Sequence, residues 1–78
     1  MVRDSILEVI SRVVGFAIRH LDDETMLHAD LGLDPLDRVY LMIELEERLG
    51  VEITDAQADS VVTFGDVLRL PGIRALEP

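Results

Sequence analysis

Apolar residues recur along this chain at helical spacing, and helix-capping residues punctuate the gaps between the apolar stretches. From Asp4 to His20, the positions Ile6, Leu7, Ile10, Val13, Val14, Ala17 and Ile18, followed by Leu21, keep the i, i+3, i+4, i+7 rhythm of an amphipathic helix. Asp4 or Ser5 suits its first turn, with Glu8 near the positive end of the dipole and Arg19 and His20 at the other. On this pattern a first helix covers residues 4–20. Gly15 then falls in its interior, where it costs about 1 kcal/mol against alanine and marks a close helix contact.

Residues 22–34 form a long connection, polar at first and then carrying Met26, Leu27, Leu31 and Leu33, which are expected to tuck into the core. A second helix is expected over 35–49: Asp34 is a good N-cap, Pro35 fits N1, Asp37 adds charge to the first turn, and Gly50 supplies a left-handed stop. Thr54 or Asp55 then starts a single short turn through about Asp59. Thr63 caps a last helix over 64–70, with Asp66 as its capping-box partner and Pro71-Gly72 as its stop. Ile73 and Leu76 lie beyond it, either folded back or frayed. Val51-Glu52-Ile53 could pass for a strand, but nothing else in the chain could pair with it. The expected fold is all-α, a bundle of three main helices plus one short one, in one domain spanning residues 1–78.

The second helix is apolar on two sides. At about 100° per residue, Leu41, Met42, Leu45 and Leu49 share one broad face, and Leu36, Val39, Tyr40 and Ile43 cluster roughly opposite, with Asp37, Glu44 and Arg48 on a flank between. Such a helix is either buried on both faces or offers one to a partner, and a bundle of 78 residues has little capacity to bury both. Glu46 and Glu47 flank the second face, giving an apolar spot with an acidic rim.

Composition narrows the possible partners. Sixteen acidic residues against seven basic ones give a formal charge of −9, which repels nucleic-acid phosphates and anionic membrane surfaces. A basic protein surface is the natural complement, although the same charge also serves solubility. With only three aromatic residues, Phe16, Tyr40 and Phe64, the core must rest on Leu, Ile and Val. There is no cysteine, hence no disulfide or thiolate chemistry, and the opening MVRDSILEVI carries no continuous apolar signal segment, so the expected location is the cytoplasm. His20 and His28 lack metal-ligand spacing, and Asp22-Asp23-Glu24 lacks the ligand and glycine pattern of a calcium loop. No Ser/His/Asp set, phosphate cradle or paired-carboxylate arrangement emerges, so an enzyme is not expected.

Residues 30–53, DLGLDPLDRVYLMIELEERLGVEI, resemble the acyl carrier proteins and their peptidyl-carrier relatives. The family signature is a Leu-Gly-x-Asp-Ser-Leu turn opening a helix that ends in Leu-Glu-Glu-x-Phe/Leu-Gly-x-Glu-Ile. This chain has Leu31, Gly32, Leu33 and Asp34, then Pro35, Leu36 and Asp37, and later Leu45, Glu46, Glu47, Arg48, Leu49, Gly50, Val51, Glu52 and Ile53. Residues 54–67, TDAQADSVVTFGDV, resemble the family's short third helix and the start of its last one.

The resemblance implies a carrier-type domain with Pro35 at the position of the serine that takes up 4′-phosphopantetheine. Proline has no hydroxyl and cannot form the phosphodiester, so no cofactor is expected on this sequence, and residues 30–40 offer no other serine or threonine. Asp34 and Leu36 flank the site. Arg38 puts a positive charge where the family's helix start is usually acidic, which would weaken recognition by basic partners.

The implied function is a monomeric domain recognised by enzymes of fatty-acid, polyketide or related acyl metabolism that bear basic surfaces. Its contact residues would be Asp37, Val39, Ile43, Glu46 and Glu47. Two alternatives stand beside it. One is a working carrier, in which Pro35 is a substituted residue or another acceptor is used. The other is a non-covalent binder of acyl chains.

Overall fold

The structure is a computed structural model and describes residues 2–76. Its helices are α1 (Val2–Val14), α2 (Pro35–Leu49), α3 (Asp55–Asp59), α4 (Phe64–Leu68) and α5 (Pro71–Arg74). Among the described residues, the only β-type pairing is an isolated bridge between Met26 and Thr63, so residues 51–53 form no sheet.

α1 and α2 make the principal helix–helix contact. α1 buries Ile6, Leu7, Val9 and Ile10, and α2 buries Leu41, Met42 and Leu45. Leu27 and Leu33 from the long connection and Val61, Phe64, Val67, Leu70 and Ile73 from the C-terminal part complete the core. Each of these side chains contributes on the order of 1.5–3 kcal/mol on leaving water. Ion pairs between Arg48 and Glu8 (2.6 Å) and between Arg12 and Glu44 (4.0 Å) link α1 to α2 at the surface, where such pairs add little. At the N-terminal end, Arg3 donates to Leu21 O and to Asp23, and its guanidinium lies 5.1 Å from the centroid of the buried Phe64 ring.

Three helix starts follow one rule. Asp34 with Asp37, Thr54 with Gln57, and Thr63 with Asp66 each form a reciprocal capping box ahead of α2, α3 and α4. Gly50, at φ 66°, ends α2 in the left-handed conformation.

Elsewhere the structure corrects the pattern. α1 stops at Val14 rather than at 20, because Gly15 takes φ 90°, a conformation that ends the helix and that L side chains rarely adopt. Nothing approaches the place a Cβ would occupy there, so Gly15 is a stop and not a close contact. Arg19 and His20 therefore lie outside any helix. Ile18 and Leu21 still pack inward, carried by an irregular segment whose Ile18 amide donates to the Ser11 hydroxyl at 2.8 Å.

The last helix ends at Leu68, and Pro71 opens a further turn instead of closing one; that turn buries Ile73. In the long connection Leu27 and Leu33 are buried as expected, whereas Met26 is exposed. Gly65 has a specific duty. Its amide donates to Asp23 O at 2.8 Å, and a Cβ there would sit 2.9 Å from that same oxygen, so the close approach of the two segments needs glycine.

Candidate functional site

The start of α2 is held from both sides. Asp37 N donates to Asp34 Oδ1 (2.8 Å) and Asp34 N to Asp37 Oδ2 (3.2 Å), which satisfies two amides that the helix leaves free. Pro35 sits at N1, where a missing N–H costs nothing. The preceding segment is tied down as well. Met26 N donates to the Asp30 carboxylate (2.7 Å), Leu27 N to Val62 O (2.9 Å) and Leu33 N to Leu27 O (3.0 Å), while His28 Nδ1 donates to Leu33 O (2.9 Å). Buried Leu27 and Leu33 anchor this turn in the core, so residue 35 projects from a well-fixed support into solvent.

The ring of Pro35 lies at the edge of two hollows. One, of about 280 Å³ between α2 and α3, is lined by Pro35, Arg38, Val39, Met42, Ile43, Ala58 and Asp59. The other, of about 270 Å³, is lined by His28, Leu33, Pro35 and Arg38.

Along α2 the two apolar sides part company. Leu41 and Leu45 are fully buried, but Leu36 (59%), Val39 (52%), Tyr40 (53%) and Ile43 (44%) remain exposed. Of the acidic residues beside them, Asp34 and Glu47 are exposed and Asp37 is half-buried in its capping box. Glu46 is also half-buried and accepts a hydrogen bond from Ile53 N (3.2 Å), so its carboxylate helps hold the connection to α3.

Arg38 has a role that sequence reasoning missed. It does not stand out as a surface charge. Half-buried, it turns its guanidinium toward the end of α3, where Nη2 donates to Ala58 O (3.2 Å) and to Val61 O. No local signal gives this away, since the partners are backbone carbonyls 20 and 23 residues further along.

One carboxylate at the start of α4 has a displaced pKa. Amides of Thr63 and Val62 donate to the Asp66 carboxylate, and Arg69 adds a charged hydrogen bond, which together hold its pKa down at about 2. Among the described residues, no group of three or more His, Cys, Asp or Glu is placed to hold a metal ion.

The arrangement is a capped helix start with a supported, exposed residue at N1, and the chain as a whole is similar to known proteins. A family model described as a phosphopantetheine attachment site matches residues 4–71. The chain belongs to the acyl carrier protein family. It is 38% identical over 66 residues to an acyl carrier protein of Wolinella succinogenes, covering 85% of this chain and 87% of that one. An acyl carrier protein of Helicobacter pylori is 39% identical over 66 residues, covering 85% of each. A solved chain from Mycobacterium tuberculosis with a candidate acyl carrier protein assignment superposes with a TM-score of 0.85 at 26% identity, over 99% of this chain and all of that one. Acyl carrier proteins are carriers rather than enzymes, and this member of the family is not an enzyme.

A phosphodiester requires a hydroxyl oxygen, and the Pro35 ring at the start of α2 offers only carbon. The only hydroxyl on α2 is that of Tyr40, more than one turn further along the helix.

Proposed function

We propose that this chain is an acyl-carrier-type recognition domain that does not take up 4′-phosphopantetheine. In this reading, enzymes of fatty-acid, polyketide or related acyl metabolism with basic surfaces dock on α2. The observation that carries it is a capped and supported α2 start whose N1 residue, Pro35, has no hydroxyl.

The docking surface is the exposed row of Leu36, Val39, Tyr40 and Ile43, with Asp34, Asp37, Glu46 and Glu47 as its acidic surroundings. A net charge of −9 supports attraction to a basic partner and opposes nucleic acid and anionic membranes. No described helix is long and apolar enough to cross a membrane. The reading takes residues 1–78 as one domain, working as a monomer in the cytoplasm.

A second reading has one observation in its favour. Val39, Met42, Ile43 and Ala58 give the α2–α3 hollow an apolar lining that suits an acyl chain held without a covalent link. Intact-mass measurement on protein purified from its native host tests both. Bare polypeptide mass with no co-extracted lipid is the expected result. A covalent arm would overturn the proposal, and stoichiometric fatty acid in the extract would favour the second reading.

A further inference from the structure

α3 has the weakest hold on the rest of the molecule. It buries none of its residues, and its capping box and the Ser60 hydroxyl bond to Gln57 O (2.7 Å) are internal to it. Among the described residues, one side chain alone hydrogen-bonds α3 to another helix. That side chain is Arg38, in the first turn of α2, reaching Ala58 O and the neighbouring Val61 O. These carbonyls lie where α3 ends; Ala58 O already accepts from Val61 N (3.2 Å), and the guanidinium adds a charge-assisted bond there and a second one to Val61 O.

The anchor end is firm. Arg38 N donates to Asp34 O (3.0 Å), inside the doubly capped start of α2. The strap spans the hollow between the two helices, whose apolar lining comes from Val39, Met42, Ile43 and Ala58.

We propose that Arg38 is a latch that holds α3 against α2 along the rim of the α2–α3 hollow, so that the guanidinium sets how often this part of the molecule opens. Elements with little buried surface open locally at low free energy, and their opening is governed by the few bonds that remain. α3 is such an element, and Arg38 supplies the bond. The inference stands on this geometry and does not depend on what docks on α2.

Residue-resolved native-state hydrogen exchange on the whole chain tests it. Arg38→Met keeps the apolar stem and removes the guanidinium. The amides of Ala58, Ser60 and Val61, which are bonded within and just after α3, should then exchange about tenfold faster or more, the effect of losing a hydrogen bond to a charged group. Amides in the middle of α1 and α2 should keep their rates. Arg38→Lys, whose ammonium lacks the planar fork, should fall between the two. Nile red, a neutral apolar dye, should gain more fluorescence with Arg38→Met than with the unaltered protein, whose Val39 and Ile43 are already exposed.

Unchanged exchange in α3 would overturn the latch, as would a uniform acceleration in every helix. A dye response no greater in Arg38→Met than in the unaltered protein would overturn the claim that the latch limits access to the hollow. Should Arg38→Met fail to fold, Arg38→Lys carries the same exchange test.

Discussion

Ile43 and Leu45 are isomeric side chains two positions apart on one helix, yet Leu45 is wholly buried and Ile43 is nearly half exposed. The same division runs along all of α2, with Leu41, Met42 and Leu45 against α1 and the core, and Leu36, Val39, Tyr40 and Ile43 facing water. The α1 partner and the segments carrying Leu27, Leu33 and Phe64 fill one side, whereas α3, which comes near the other, buries none of its residues. Hydrophobicity alone therefore says little about a residue's task in this molecule. Position around the helix decides whether a side chain holds the fold together or is available to a partner.

Substitution can break this comparison. The largest expected effect is at the core face, where Leu45→Ala should cost about 2–5 kcal/mol through lost burial and a residual cavity. Chemical denaturation reads it directly, and a loss below about 1 kcal/mol would place Leu45 outside the core.

Next in size is a polar contribution remote from both faces of α2. The Asp66 pKa, lowered to about 2 from an ordinary 3.8, means the native state binds this proton less readily than the unfolded chain. Its contribution is thus complete above about pH 4 and is lost as pH falls through about 2. Asp66→Asn should cost about 1 kcal/mol at neutral pH and flatten the loss of stability between pH 4 and 2. An unchanged acid-unfolding profile would contradict that assignment. The smallest effect on stability is expected at the exposed face. Ile43→Ser should cost under about 1 kcal/mol while weakening the binding of a carrier-dependent enzyme. A loss of several kcal/mol would make Ile43 a core residue and remove the docking surface.

Much of this was legible in the sequence because helix ends are local chemistry. Asp34-Pro35 and Gly50 marked both ends of α2, and Thr63 with Asp66 marked the start of α4. The errors arose where a local rule met a non-local one. Ala17, Ile18 and Leu21 continue the spacing of α1, so the break at Gly15 is invisible to periodicity; Ile18 and Leu21 are apolar because an irregular segment returns them to the core. Pro71 reads equally as a stop or as the first residue of a new turn, and the burial of Ile73 decides for the turn. At the candidate site, the proline and its neighbours were plain from residue types alone. Arg38 was not, because its partners are carbonyls that only the folded chain brings near.

The central claim is that the carrier scaffold persists without its acceptor, and intact mass after incubation with coenzyme A and a broad-specificity phosphopantetheinyl transferase tests it most directly. The unaltered protein should keep its mass, whereas Pro35→Ser should gain one 4′-phosphopantetheine. That replacement should cost only about 0.4–1 kcal/mol from the lost rigidity of proline. Uptake of the arm by the unaltered protein would contradict the account, because some residue other than 35 would then be the acceptor.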